Sequence, residues 1–214
     1  MAEQRKKSGK GCLFWGAIIF SILLVVIVVA AYMGYRYARG LVEEYTDTKP
    51  MTFPELTLSQ AEISQLRNRV QDFGNAVNER RATAPLTLTS EEVNALILTE
   101  PGAEEWKGKV YVTLNGTNLQ AQVSIPAERI GLKPLRGRYL NASGDLRIEL
   151  DDGVLYIGAE SLSAKGKPIP ESLLRHVRAQ NFAQNLNRDR ESQAALQKLE
   201  DIRVENSRLV IDPK

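Results

Sequence analysis

The chain of 214 residues carries a single histidine, His176, and a single cysteine, Cys12. That count excludes a site needing two imidazoles, a disulfide framework and a cysteine-based zinc site. His176 falls in a predicted helix near Glu171 and Arg175. As a general base it would need a placed Ser or Asp partner. No motif supplies one, so an ordinary surface or interfacial histidine is expected. Asp151-Asp152-Gly153 has the composition of a calcium loop but lacks the Asp-x-Asp-x-Asp-Gly pattern with a distal Glu. A hairpin turn accounts for it. Glu91-Glu92 and Glu104-Glu105 read as helix starts, and no glycine-rich phosphate loop is present. The expectation is a protein that is not an enzyme and uses neither metal nor cofactor.

Binding chemistry is more visible. Arg129, Lys133, Arg136 and Arg138 form a basic cluster interrupted by Gly131, Pro134 and Gly137. Such a loop can meet anionic lipid headgroups, or it is a solvated loop at a strand edge. Nucleic acid would require more charge and stacking aromatics, and 28 Lys and Arg nearly balance 26 Asp and Glu. Two sequons, at Asn115 and Asn141, are equally explained by turn chemistry.

These groups must be positioned by something, and the first element is a membrane anchor. Leu13 to Met33 are 21 positions without a charge. At about 1.5 Å per residue that length matches a bilayer core. Arg5, Lys6, Lys7 and Lys10 precede the run against Glu3 alone. The positive-inside rule therefore predicts a cytoplasmic N-terminus, with everything after the span outside. A cleaved signal peptide is the rival, with Val29-Ala30-Ala31 as its site. Cleaved signals have about 7–15 apolar residues, so a retained signal anchor is expected. Cys12 precedes the apolar run, the wrong side for lipoprotein cleavage. Residues 1–40 hold six basic residues and one acidic, leaving 22 basic against 25 acidic beyond them. The outer part is thus mildly acidic.

The predicted organisation is a basic tail (1–12), a transmembrane helix (13–33), a juxtamembrane stalk (34–50) and one extracytoplasmic domain (51–214). The fold class expected for that domain is α+β, with long antiparallel strands packed on helices. Leu56-Thr57-Leu58 and Leu86-Thr87-Leu88 each precede a capping box, Ser59 with Glu62 and Thr89 with Glu92. The first predicts a helix over 60–81 with Ile63, Leu66, Val70, Phe73 and Val77 as its apolar stripe. The second predicts a short helix over 90–98. Alternating runs then predict three hairpins, about Asn115-Gly116, Asp151-Asp152-Gly153 and Asn206-Ser207. The alternation slips between Ala159 and Leu162, which suggests a bulge or strand end. A helix is expected from about 171, interrupted over Asn185 to Arg190.

The chain resembles the YpmS-like group of bacterial single-pass membrane proteins. The resemblance lies in the basic tail and span, in Leu-Thr-Leu-Thr-Ser-Glu-Glu-Val-Asn-Ala-Leu-Ile (86–97), and in Gly-Lys-Pro-Ile-Pro (166–170) before a helix. The segment 199–211 is similar to the end of envelope proteins with tubular lipid-binding-like folds. The resemblance implies a bacterial envelope protein whose curved sheet wraps a helix around an apolar groove, and it carries no catalytic residue. The function expected is therefore a non-catalytic, membrane-anchored domain that binds lipid or another amphiphile. Ile148, Ile157, Leu173 and Val177 are the groove candidates. The alternative is a structural or protein-interaction module of an envelope complex. The expected partners are the bilayer, with an amphiphile ligand or an envelope protein, and no nucleic acid.

Overall fold

The structure is a computed structural model that describes residues 27–33, 35–36, 39–40, 42–99, 104, 106–130 and 135–214. The chain divides into two compact units, Met1–Glu44 and Tyr45–Lys214. In the smaller unit the described residues are helical, and Arg39 Nε pairs with Glu43 Oε1 at 3.0 Å, one turn on. Residues 1–12, with the topology candidates Arg5, Lys6, Lys7 and Lys10, lie outside the described residues, as does 13–26 of the expected span. No helix among the described residues is long and apolar enough to cross a membrane.

The larger unit is α+β, with antiparallel sheets and helices. Helix α1 (Gln60–Asn78) opens on the expected capping box. Ser59 N donates to Glu62 Oε2 at 2.7 Å, and Glu62 N donates to Ser59 Oγ at 3.3 Å. The Ser59 hydrogen bonds hold the Glu62 carboxyl below its ordinary range. The helix buries Ile63, Leu66, Ala76 and Val77. It ends three residues before the expected 81 because Arg80 turns left-handed, at φ 53°. Arg80 N then reaches Val77 O and Arg81 N reaches Ala76 O, the two bonds of a Schellman stop. Strand β1 (Leu86–Thr89) leads into α2 (Ser90–Thr99) through the second capping box, with Thr89 N on Glu92 Oε2 at 2.8 Å.

The main sheet contains β2 (Val110–Asn115), β3 (Asn118–Pro126), β4 (Tyr139–Asp151), β5 (Val154–Ala159), β6 (Ser163–Ala164) and β7 (Lys167–Pro168). Its order is β2-β3-β4-β6-β7, with β5 also on β4. The β4–β5 loop has positive φ at both Asp152 and Gly153, the type I′ pattern. In the β2–β3 hairpin Asn115 pairs with Asn118, and φ is positive at Gly116, the first loop residue, but not at Thr117. That is the II′ pattern, one residue on from the Asn-Gly turn the sequence suggests. Between Ala159 and Ser163 the chain leaves β4 and rejoins it as β6, so the slip in alternation marks a strand end.

Helices α3 (Glu171–Arg178), α4 (Gln184–Arg188) and α5 (Arg190–Leu196) follow, then β8 (Leu199–Glu205) and β9 (Arg208–Pro213). Strands β8 and β9 stand apart from the main sheet and form a second with β1, in the order β1-β9-β8. Leu86 sits opposite Ile211 and Leu88 opposite Leu209, a pairing across more than a hundred residues. Leu209 and Ile211 belong to both apolar clusters. One cluster gathers around Leu66, Leu86, Leu88 and Ala95, the other around Leu155, Ala183, Leu196 and Ile202.

Two outer strands of the main sheet, β2 and β5, meet asparagine amides at their edges. On β2, Asn94 Oδ1 accepts from Val112 N at 2.8 Å and Asn94 Nδ2 donates to Val112 O at 2.7 Å. On β5, Asn181 Oδ1 accepts from Ile157 N at 3.1 Å, and Asn187 Oδ1 accepts from Leu155 N at 2.9 Å. Both Asn181 and Asn187 also donate to Leu155 O. This satisfies main-chain groups that an exposed edge would offer to another strand. It also adds an earlier helix break. The chain leaves helix at 179–183, where Asn181 and Phe182 N engage β5, and breaks again at Asp189, whereas 185–188 are helical.

Candidate functional site

Of the four groove candidates, Ile148 and Ile157 are direct cross-strand neighbours on β4 and β5. Both pack into the apolar cluster around Leu155, Ala183, Leu196 and Ile202. Val177 is half-buried on α3 and lies outside that cluster; the buried residue of that helix turn is Leu174. The side chain of Leu173 lies outside the described residues. Ile148→Ala or Ile157→Ala should cost about 2 kcal/mol, at the low end for a core truncation because each is only half-buried. Arg147 is exposed and stands over the Tyr156 ring at 5.4 Å, so Arg147→Ala should cost no more than about 1 kcal/mol. Equal losses at 147 and 148 in a denaturant titration would contradict this register.

The described members of the basic cluster have different surroundings. Arg129 is exposed on the 3-10 turn Ala127–Ile130. Arg136 approaches Glu128 at 3.8 Å. Arg138 donates from Nε to Thr46 Oγ1 at 2.6 Å and from Nη2 to Thr46 O at 2.9 Å, clamping the start of the folded unit. Lys133 lies outside the described residues. His176 is exposed, with Nδ1 2.9 Å from Ser172 O one turn back in its own helix. Arg203 faces Asp212, Asp201 and Glu205, whose hydrogen bonds push its already high pKa further up. That cation is saturated by its own neighbours. Among the described residues no group of three His, Cys, Asp or Glu is placed to hold a metal.

A feature that the sequence reading passed over is the polar face of the main sheet. Strand alternation and register put Thr113, Gln120, Gln122, Ser143, Asp145 and Ser163 on one face, in two adjacent rows. They line a concavity of about 350 Å³. Its wall is the excursion 160–162, where Ser161 Oγ donates to Asp145 Oδ2 at 2.7 Å and accepts from Asp145 N at 3.1 Å. Gln120 Nε2 donates to Asp145 Oδ1 at 2.9 Å. The Ser161 bond first, and the Gln120 bond second, hold the Asp145 carboxyl below its ordinary range. A depressed carboxyl contributes stability above its unfolded pKa and loses it as pH falls through the folded value. Gln120→Ala should therefore lower stability slightly at pH 7, and the gap from wild type should close as acid protonates Asp145. Denaturation midpoints across that range test this; a gap independent of pH would refute the link.

The same face continues under residues 47–53, assigned from sequence partly to a stalk. Asp47 bridges Tyr139, Met51 N donates to Ser124 Oγ at 3.0 Å and Asn141 Oδ1 at 3.1 Å, and Asn141 Nδ2 donates to Lys49 O at 2.9 Å. Phe53 stacks on Tyr111 with ring centroids 6.1 Å apart. The outward polar positions were legible in the alternation of β3 and β4. The covering strap was not, because its contacts join residues some ninety positions apart. No protein-family model, curated protein or solved structure matches this chain.

Proposed function

We propose that this chain is a bilayer-anchored, non-catalytic interaction module whose folded unit stands outside the cytoplasm, at a cell envelope. The observation that carries the anchor is the helical surface of residues 27–33 and 35–36. Ile27, Val28, Val29, Tyr32, Met33 and Tyr35 are 49–65% exposed, and they continue the uncharged run from Leu13. A row of apolar side chains is costly in water, and lipid is the medium that covers it. The basic residues before the run set the direction. A reporter active only outside the cytoplasm, fused after Lys214, should therefore work. Changing Arg5, Lys6, Lys7 and Lys10 to Glu should weaken or invert the topology. Activity of a cytoplasm-only reporter at the same position would overturn the orientation.

The interaction reading is favoured over an amphiphile groove at Ile148 and Ile157 because those half-buried side chains pack against the buried cluster around Leu155 and Ile202. A second reading keeps the amphiphile but moves it. Val112, Ala121, Val123, Ile125, Leu140 and Leu146 share the other face of β2–β4, are all half-buried, and belong to neither apolar cluster. A fluorescent-lipid titration of the wild-type chain decides between the two: saturable binding lost in Val123→Asn supports the amphiphile, and no binding removes it.

A further inference from the structure

The strap over the polar face indicates what that face accepts. Leaving Asp47 at the edge of β4, the chain crosses β4, β3 and β2 in turn, through Asn141, Ser124 and Tyr111. A hydroxyl and a side-chain amide take its main chain directly: Met51 N donates to both, and Lys49 O accepts from the amide. Ser124 and Asn141 are themselves joined at 2.8 Å, and both are buried under the strap.

One pleat further along β3 and β4, about 7 Å away, the same chemistry recurs; the strap touches this row at its β2 end, where Phe53 stacks on Tyr111, and among the described residues no strap main chain is hydrogen-bonded to it. Gln122 stands between Tyr111 and Ser143, with Ser163 beyond, and Thr113 lies beside Gln120 and Asp145. Ser143 Oγ and Ser163 Oγ are 2.9 Å apart, so this row again presents joined hydroxyls next to an amide. The Gln122 amide and the Thr113 hydroxyl make no hydrogen bond among the described residues. The rows form the concavity of about 350 Å³, and no Lys or Arg lines it.

We infer that this lane binds an irregular or extended main-chain segment of a partner protein, laid beside the strap. Gln122 and Thr113 take its N–H and C=O groups as Asn141 and Ser124 take those of residues 49 and 51. The absence of lining cations disfavours phosphorylated or acidic ligands, and one carboxylate does not make a cation site. The asparagine contacts along β2 and β5 disfavour strand addition at those two edges. The inference rests on the interaction reading above and names the partner's chemistry and its place.

The test uses the full chain in lipid nanodiscs, panned against a random dodecapeptide display library, with empty nanodiscs as background. Neither Gln122 nor Thr113 supports the fold through a side-chain hydrogen bond, so Gln122→Ala and Thr113→Ala should melt with the wild type. Enriched peptides should bind the wild type saturably and lose about tenfold in affinity on Gln122→Ala, the loss of one to two hydrogen bonds. They should bind Arg69→Ala, on α1, as they bind the wild type. Peptides indifferent to Gln122→Ala overturn the lane while leaving the interaction reading standing. No enrichment above empty nanodiscs overturns both. Chitotetraose binding that is lost in Gln122→Ala, without peptide binding, overturns the peptide class in favour of a saccharide.

Discussion

Gly144→Ala should be the most damaging single-methyl change in the folded unit, costing about 3–5 kcal/mol. A Cβ at Gly144 would stand 2.1 Å from the Ser161 carbonyl oxygen and 2.6 Å from Leu162 Cδ2. The first of these is main chain and cannot swing aside. Relief requires lifting the 160–162 excursion off β4. That breaks Glu160 N on Asp145 O at 2.8 Å and the Ser161–Asp145 exchange together. Set against about 5–15 kcal/mol for a typical domain, such a loss leaves the fold marginal. Gly74→Ala is the control. Its Cβ would meet nothing within 4 Å, and it sits in the interior of α1. Alanine there should stabilise by about 0.5–1 kcal/mol through backbone entropy. Denaturant midpoints of both variants in one detergent give the comparison. Similar small shifts for the two would show that the excursion does not pack on Gly144.

Asn94→Ala should cost about 3 kcal/mol or more and should also change the association state. Asn94 is 3% exposed and makes three hydrogen bonds, to Ser90 O, Val112 O and Val112 N. Alanine removes the amide and leaves the Val112 N–H and C=O without their partner, at about 1–3 kcal/mol for each group that stays buried. It also opens the outer edge of β2, which then presents ladder groups to another molecule. Sedimentation of the variant should show self-association at concentrations where the wild type does not associate. Asn94→Asp separates the two effects. Its carboxylate still accepts from Val112 N but cannot donate to Val112 O, so it should fall between alanine and wild type. An unchanged midpoint for Asn94→Ala would mean that water replaces the amide and that the edge is not sealed by it.

Asn94 and Asn181 show how far each kind of information reaches. In the sequence Asn94 is one polar position inside a capped helix, and Asn181 precedes a predicted helix interruption. Nothing local marks either as a strand partner, because the strands they seal lie 18 and 24 residues away. The earlier break at 179–183, which the sequence did not suggest, follows from this. The Asn- and Arg-rich run 185–190 holds one break, at Asp189, but the chain first leaves helix where Asn181 and Phe182 hydrogen-bond β5.

Local chemistry by itself determined the helix starts, the hairpins and which face of each strand is polar. Capping boxes and two-residue turns act between residues two to four apart, so their signals survive in one dimension. The α+β class follows from those elements. The division of the strands into two sheets was decided only by tertiary structure, since β1 pairs with β9 across the whole domain. So was the role of residues 45–53. The sequence reads 45–50 as the end of a stalk, yet Thr46 meets Arg138, and Lys49 and Met51 meet Asn141. The candidate binding lane is of this second kind. Its residues were visible as outward polar positions, but a site needs a wall and an uncovered row beside a covered one. Those arise only when distant segments pack, because loop closure brings together groups that no local periodicity relates.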